Sequence, residues 1–302
     1  MPPSATSASD TTPQNTVQNL RGIALIALGF FSFSACDMQA KLLTADLPAL
    51  EIVWFRQLGL FLGVIVLIAW RGPGLLASQK PLLQIGRGLT AAGSAVCFVI
   101  GVRVVPLADA VAVTFIAPFI VTVMGALLLR EPVGPRRWAA VAFGFLGMLI
   151  VIRPGLGVFD PAIIFVVFAA FLFSVRQILS RWLSNADSVL TTVAYTSITS
   201  GLALSIALPF VWTTPERLDT WALIVGVALT AAAGEILVIT ALSIAEVSAL
   251  APVHYSLILW GTLYGYMIFG HLPDLWTVFG CIIIVASGLY AINRERLRQR
   301  GA

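Results

Sequence analysis

Long apolar stretches, each about the length of a bilayer-spanning helix, constrain this chain more than any other feature. Short breaks separate them, and the breaks carry proline, glycine, asparagine or charged residues. A helix needs about 20 apolar residues to cross the hydrocarbon core, where it satisfies its own backbone polar groups. Ten stretches qualify, at residues 22–43, 48–70, 82–103, 107–129, 135–153, 160–182, 188–212, 219–243, 248–270 and 273–293. The sequence therefore predicts an all-α integral membrane protein with ten transmembrane helices.

The composition supports this class and argues against a soluble domain. Hydrophobic residues make up 59% of the chain and charged residues 11%, whereas soluble domains have about 25% charged residues. The net charge of +4 comes from basic residues that lie between the apolar stretches. We attribute these basic residues to membrane orientation, and we expect the lipid bilayer as a partner and no nucleic acid.

The sequence lacks the common motifs of catalysis and metal binding. It has no G-x-x-x-x-G-K-[ST] nucleotide loop, no H-E-x-x-H zinc motif and no G-x-S-x-G nucleophile motif. Cys36, Cys97 and Cys281 all lie in apolar stretches, as small packing residues do. We therefore expect no enzyme activity, no cofactor and no metal site.

Two sequence patterns recur along the chain with the same separation. The tetrapeptide Leu-Thr-Ala-Ala occurs at 89–92 and again at 229–232, and we call the step from 89 to 229 the repeat offset. A longer pattern recurs at this offset: Phe31-x-Phe33-Ser34 with Lys41-x-Leu43 is matched by Phe171-x-Phe173-Ser174 with Arg181-x-Leu183. Five helices per copy is an odd number, so the second copy is inserted upside down in the membrane. We predict two inverted five-helix repeats, at residues 20–155 and 156–293.

The two ends of the chain are polar, and the basic residues predict their side of the membrane. Residues 1–19 are rich in Ser, Thr, Pro, Gln and Asn, which predicts a disordered tail, and residues 294–302 form a basic tail. Of the 18 Lys and Arg residues, twelve fall on the side of both ends, four on the other side and two inside helices. Because basic loops stay in the cytoplasm, both termini are expected to be cytoplasmic, in a protein of the inner (plasma) membrane.

Charged residues inside predicted helices are candidates for function, because a charge in the bilayer core is costly and usually faces a cavity or a partner. Glu235 follows Ala231-Ala232-Ala233-Gly234 and fits a contact to a substrate amine, a proton-carrying group or a buried neutral carboxyl. Asp37 and Arg176 fit gate, coupling or end-anchoring roles. Arg56 fits a pair with Asp37 or a contact to a substrate carboxylate.

Prolines inside helices suggest where a transported solute binds, because broken helices at corresponding places in two repeats are typical of transport sites. Pro118 and Pro252 both free backbone carbonyls, and ordinary proline kinks are the alternative explanation. His254 and Tyr255 lie close to Pro252. The predicted substrate-binding residues are Trp54, Arg56, Thr90, Ser94, Thr114, Pro118, Tyr195, Glu235, His254 and Tyr255, with Asp37 and Arg176 as gate or coupling residues.

The ends of the two repeats suggest a family. Glu131-Pro132 followed by Trp138, Gly144 and Gly147 ends the first repeat, and a looser series of Gly270-His271, Trp276, Gly280 and Gly288 ends the second. With the duplication and the ten helices, this pattern resembles the drug/metabolite transporter superfamily, EamA-like branch, over residues 20–293. It is most similar to the bacterial YddG-type exporters of aromatic and other amino acids. The resemblance implies a basket-like carrier with a central cavity, its core formed by the third, fourth, eighth and ninth helices.

We therefore expect a secondary transporter that exports amino acids, aromatic and other neutral ones, and related metabolites by alternating access. The expected oligomeric state is a monomer or a weak dimer. Alternative solutes are drug-like cations and nucleotide-linked sugars. Alternative functions are those of a channel and of a membrane scaffold or receptor without transport.

Overall fold

The fold is that of a computed structural model, which describes residues 13–128, 134–153, 160–183, 186–245 and 250–300. No β-strand occurs in these ranges. The α-helices are α1 (Pro13–Leu43), α2 (Ala49–Arg71), α3 (Pro81–Val102), α4 (Leu107–Thr114), α5 (Ala117–Leu128), α6 (Pro135–Ile152), α7 (Ile163–Leu183), α8 (Val189–Ala207), α9 (Leu218–Ile244), α10 (Ser256–Phe269) and α11 (Leu275–Arg300). Short 3₁₀ helices lie at Pro73–Leu76, Leu208–Phe210 and Ala251–Tyr255.

Seven helical stretches in the described part of the chain are long and apolar enough to cross a membrane. They are Leu20–Leu43, Ala49–Arg71, Pro81–Val102, Leu107–Leu128, Ile163–Leu183, Val189–Phe210 and Leu218–Ala241. Shorter apolar stretches lie in α6 (Trp138–Ile152) and α11 (Leu275–Tyr290). The all-helical, membrane-spanning class is confirmed, and the count of ten crossings stays a prediction.

The ends of several helices recur at the repeat offset of the sequence pattern. The equivalent ends are Leu43 of α1 and Leu183 of α7, Ala49 of α2 and Val189 of α8, and Pro135 of α6 and Leu275 of α11. Because helix ends are set by local turn and capping residues, the shared offset means that the two halves of the chain divide into helices in the same way.

The segment that contains Pro118 is broken three residues before the proline. Proline has no N–H, and its ring crowds the carbonyl four residues earlier, which here is that of Thr114. The amides of Phe115 and Ile116 instead donate to carbonyls three residues back, over 3.2 and 3.1 Å. This local change separates α4 from α5.

The corresponding segment of the second half is also broken. Its 3₁₀ helix, which includes Pro252, ends at Tyr255, and α10 begins at Ser256. Tyr255 is the equivalent of Phe115 at the repeat offset, so the two breaks fall at equivalent positions although the two prolines do not. The expected helix breaks are therefore present, with an aromatic residue at each.

Helices of the first half pack mainly on helices of the second. α1 lies against α9, α3 against α7 and α6 against α11. One buried cluster is formed by α4, the start of α5, α6 and α7, and includes Phe115 and Val166. A second is formed by α1, α2, α3, α8 and α9, and includes Cys36 and Val227. The two halves therefore do not form separate cores, and the polar groups of one half face helices of the other.

One of the two glycines in the Gly59-x-x-x-Gly63 motif permits a close helix crossing. A Cβ on Gly59 would lie 2.5 Å from the carbonyl oxygen of Ala228 in α9, whereas a Cβ on Gly63 would meet nothing within 4 Å. In the motif Gly261-x-x-x-Gly265, a Cβ on Gly261 would lie 3.1 Å from Val111 Cγ2. Close packing by small residues therefore holds at Gly59 and not at Gly63.

The predicted tail up to residue 19 overlaps the start of α1, and the predicted division into tails and repeats stays a prediction. α1 begins at Pro13, so residues 13–19 are helical. Proline is favoured in the first turn of a helix, where its lack of an N–H costs nothing, and the apolar helix that follows extends back into these polar residues. Residues 1–12 lie outside the described residues, as does the Glu131-Pro132 turn. At the other end, α11 continues to Arg300.

We expect Gly59→Ala to destabilise the folded protein by about 1–3 kcal/mol, because the added methyl meets backbone that cannot move aside. Gly63→Ala is the matched control and is expected to be neutral or slightly stabilising, since alanine favours helix and the space is open. Thermal unfolding of both variants in the same detergent checks this. Equal melting temperatures for the two variants would contradict the crossing at Gly59.

Candidate functional site

Five charged side chains from five helices lie among the apolar spans and interact with one another. They are Asp37 (α1), Arg56 (α2), Arg87 (α3), Arg176 (α7) and Glu235 (α9). We call this set the central charge cluster. Three cations and two carboxylates from both halves of the chain meet in it, which fits the rule that charges inside a membrane protein face one another or a cavity.

Asp37 and Arg56 form an ion pair in the cluster. Arg56 Nη1 donates to Asp37 Oδ1 over 2.9 Å, and the two side chains are only 19% and 16% exposed. Away from water each ion needs the other, because an isolated charge there is strongly disfavoured. Of the two roles open for Arg56, the structure shows the pair.

Arg87 connects the two halves of the chain through neutral partners. Its Nε donates to Ser180 Oγ in α7 over 2.7 Å, and its Nη1 donates to the hydroxyl of Thr196 in α8. Thr196 is the equivalent of Arg56 at the repeat offset, so a charged side chain in the first repeat corresponds to a neutral hydroxyl in the second. Arg87 carries its charge without an ion-pair partner among the described residues.

Arg176 and Glu235 are the least satisfied members of the cluster. The Arg176 guanidinium lies 4.6 Å from the ring centre of Phe173, and its buried Nε has no hydrogen-bond partner among the residues that the structure describes. Glu235 is half-buried and makes no hydrogen bond or ion pair with any described residue. It does interact electrostatically with Arg176, Arg56 and Arg87. One cation and one anion therefore keep hydrogen-bonding capacity that a zwitterionic solute would use.

An aromatic group lies at the two helix breaks. The rings of Phe115 and Tyr255 stack with centres 5.2 Å apart and an interplanar angle of 21°. His254 makes edge contacts with Phe30 at 4.7 Å and Phe115 at 5.6 Å. A Cβ on Gly288 would collide with the Tyr255 hydroxyl, so that glycine makes room for it. Phe115 was not predicted from the sequence as a site residue. It could have been found because it is the equivalent of the predicted residue Tyr255 at the repeat offset.

Three predicted residues use their hydroxyls within or between helices. Thr90 Oγ1 donates to the Gly86 carbonyl of its own helix over 3.0 Å, and Thr114 Oγ1 to that of Val111 over 2.7 Å. Ser94 Oγ donates to the Ala169 carbonyl of α7 over 2.8 Å. Of the three, only the Ser94 hydroxyl joins two helices, and a binding role for these residues stays a prediction.

The remaining predicted residues lie outside the central charge cluster. Trp54 Nε1 donates to Ser205 Oγ over 2.8 Å. The Tyr195 hydroxyl donates to the Leu76 carbonyl over 3.1 Å, and Pro118 is exposed. Trp54 and Tyr195 therefore connect α2 with α8, and α8 with the turn that follows α2. A substrate-binding role for these residues stays a prediction.

Polar contacts also join the two halves at the turns. At one face Asp187, between α7 and α8, accepts hydrogen bonds from Ser78 Oγ, from Gln84 Nε2 (2.7 Å) and from the Gln79 amide (2.9 Å). The Ser78 bond, with those from Gln84 and Gln79, holds the pKa of the Asp187 carboxyl below its usual range. At the other face, Thr220 Oγ1 donates to Asp46 over 3.0 Å.

A cavity of about 320 Å³ opens at the face of the α1–α2 turn. It is lined by Lys41, Leu42, Thr44, Ala45, Arg103 and Phe269. Lys41 Nζ donates to the carbonyls of Val102 and Val105 over 2.5 and 2.6 Å and lies 5.4 Å from the Phe269 ring centre. The lysine thereby caps the end of α3 and ties it to α1.

Comparison with known proteins gives two matches to one family model. The model of the EamA-like transporter family matches residues 20–153 and again residues 160–293. The chain is similar to the S-adenosylmethionine uptake transporter of Rickettsia prowazekii (strain Madrid E), with 26% identity over 92% of this chain and 94% of that protein.

Other relatives carry different names. The pseudopaline exporter CntI of Pseudomonas aeruginosa (strain UCBPP-PA14) is 26% identical over 91% of this chain and 96% of its own. A riboflavin transporter of Vibrio cholerae serotype O1 is 30% identical over 65% and 66% of the two chains. A solved crystal structure with 18% identity superposes with a TM-score of 0.63 over 94% of this chain and 99% of that one. These relatives are transporters of three solutes, and the specific resemblance to aromatic amino acid exporters stays a prediction.

We expect Asp37→Ala and Arg56→Ala each to destabilise the protein by about 3 kcal/mol, because each leaves the other ion unpaired and poorly hydrated. The double variant should lose clearly less than the sum of the two, because its second substitution removes the unpaired charge. Denaturant unfolding of the three variants in one detergent measures this coupling. Strictly additive losses would mean that the pair contributes nothing.

Proposed function

The chain belongs to the EamA-like transporter family, and from that premise we propose that it is a secondary carrier that moves amino acids and amino-acid conjugates across the inner membrane by alternating access. The observation that carries the proposal is the central charge cluster, in which Arg176 and Glu235 keep unused hydrogen-bonding capacity among apolar helices. Both termini lie in the cytoplasm in this proposal, as the distribution of basic residues favours.

Alternating access requires two packings of similar energy, and inverted repeats supply them. Three observations support an inverted repeat here: the helix ends that recur at the repeat offset, the two breaks at equivalent positions, and the helix pairing. In the two repeats α1 corresponds to α7, and α3 corresponds to α9. The contact between α1 and α9 therefore corresponds to the contact between α7 and α3, and both contacts are present. Phe115 and Tyr255 are each other's equivalents and stack, as residues beside a pseudo-two-fold axis would.

The cluster suits a solute that carries both an ammonium and a carboxylate. Glu235 accepts hydrogen bonds from the ammonium, and Arg176 donates to the carboxylate, as guanidinium groups do in paired geometry. Arg56 is occupied by Asp37 and stays structural. The half-buried ring of Tyr255, which stacks on the buried Phe115, offers apolar surface for a side chain. An α-amino acid has all three features.

S-adenosylmethionine is the first conjugate to test. It is a methionine joined to adenosine through a sulfonium, so it carries the same ammonium and carboxylate together with a planar base. The relative named for its uptake aligns with 92% of this chain. In a carrier without an energy source, the direction of transport follows from the solute gradient. Such a carrier can therefore work in export and in uptake.

Counterflow in liposomes tests the proposal. Purified protein is reconstituted with unlabelled amino acids inside, and labelled phenylalanine, threonine, methionine or S-adenosylmethionine is added outside. Transient accumulation that saturates is expected for at least one of them. Accumulation of none, by protein shown to be folded and inserted, would reject amino-acid solutes and leave drug-like cations and nucleotide-linked sugars. Flux without saturation or counterflow would identify a channel.

We expect Glu235→Gln to lower the counterflow rate at least tenfold, which corresponds to about 1.4 kcal/mol of lost interaction with the ammonium. Glu216→Gln, on an exposed loop residue, is the matched control and should transport like the unaltered chain. Both proteins should elute alike in size-exclusion chromatography, so that a loss reflects binding. Unchanged uptake by Glu235→Gln at several pH values would remove the role of this carboxylate.

A further inference from the structure

The repeated F-x-F-S pattern places a serine at equivalent positions in α1 and α7, yet the two serines differ in their bonding. Ser174 Oγ donates to the Ala170 carbonyl of its own helix (2.7 Å) and lies 3.2 Å from the Ala117 carbonyl at the start of α5. Ser34 Oγ is equally buried and has no hydrogen-bond partner in the described part of the chain. It does not bond even to the carbonyl of Phe30, one turn earlier in its own helix.

The acceptor that would be equivalent for Ser34 lies on a helix that packs on α1. Leu257 of α10 is the equivalent of Ala117 at the repeat offset, and α1 packs on α10 as α7 packs on α5. Leu257 belongs to the apolar cluster that contains Phe30 of α1. Two equivalent pairs of helices are therefore in contact across the two halves, and the hydrogen bond between the helices is made in only one of these pairs.

Further unpaired polar atoms lie along α10. Ser256 Oγ and Trp260 Nε1 are buried without a hydrogen-bond partner, and the Trp260 ring contacts Phe31 of α1 with centres 5.2 Å apart. The equivalent residues of the first half, Ile116 and Ile120, have no polar side-chain atoms. Buried polar groups without partners are costly, so the contact between α1 and α10 has the less complete hydrogen bonding of the two equivalent contacts.

We propose that Ser34 and Ser174 are reciprocal latches of the transport cycle. In the conformation described here Ser174 ties α7 to α5, and Ser34 is released. In the opposite conformation Ser34 donates to the Leu257 carbonyl and ties α1 to α10, while Ser174 loses Ala117. This inference rests on the proposed alternating access, since exchange of the two inverted repeats converts one conformation into the other.

The proposal predicts opposite effects from the same substitution in the two repeats. Ser174→Ala removes a bond present here, so it should shift the population toward the opposite conformation by about fivefold. Ser34→Ala removes the bond of the opposite conformation and an unpaired hydroxyl of this one, so it should shift the population about as far the other way. The double variant should lie near the unaltered balance.

Distances between pairs of spin labels measure the populations. One pair, at Ala45 and Leu272, reports on the ends of α1 and α10, and a second, at Leu128 and Trp182, reports on the ends of α5 and α7. All four positions are exposed. The labels are carried by full-length protein whose three cysteines are replaced by alanine and which keeps its stability in detergent. Ser32→Ala is the matched control, because Ser32 bonds only to Leu28 of its own helix.

Opposite shifts by the two latch variants, with none for Ser32→Ala, are the expected result. Shifts in the same direction, or none, in a protein with two distance populations would overturn the latches and leave alternating access intact. A single population in every variant would instead reject alternating access and the latches with it. Absence of any amino-acid flux in liposomes would bear on the solute alone, because these distances are measured without solute.

Discussion

The lack of water in the bilayer core is the constraint on which this structure depends, because every polar group there must find its partner within the protein. The apolar helices satisfy their backbone polar groups internally, and most of their few charged side chains bond to other polar groups of the protein. Arg56 is paired with Asp37, Arg87 binds two hydroxyls, and Lys41 caps the end of α3. Against this background, groups left without partners stand out as places where a solute or a second conformation completes the bonding.

The duplicated unit, and the positions at which its two copies differ, are the basis of the proposed mechanism. Equivalent helices pack in equivalent pairs, as the proposed alternation between two packings requires. The charges are not duplicated, since Glu235 corresponds to Ala95 and Arg56 to Thr196. A symmetric scaffold thus holds one asymmetric site, so in the proposed mechanism a zwitterionic solute would have one favoured orientation while the helices around it exchange roles.

The helical class, the membrane spans and the repeat offset followed from the sequence, because apolar length and turn residues act locally. The helix breaks near Pro118 and Pro252 followed for the same reason. The first turns of α1 did not, since apolar content alone cannot indicate how far a helix extends into polar residues. Of the candidate site, the charged members Asp37, Arg56, Arg176 and Glu235 were expected, whereas Phe115 and the bonds of Arg87 were not.

The sequence by itself determined the solvent of this protein, its repeated unit and the few charges it carries inside the membrane. The tertiary structure decided which of those charges are already satisfied. Arg87 and Thr196 are 109 residues apart in sequence, and Ser34 and Ser174 occupy the same place in one motif but differ in their bonding. Such differences depend on how helices from the two halves meet, and no local pattern of residues encodes that meeting.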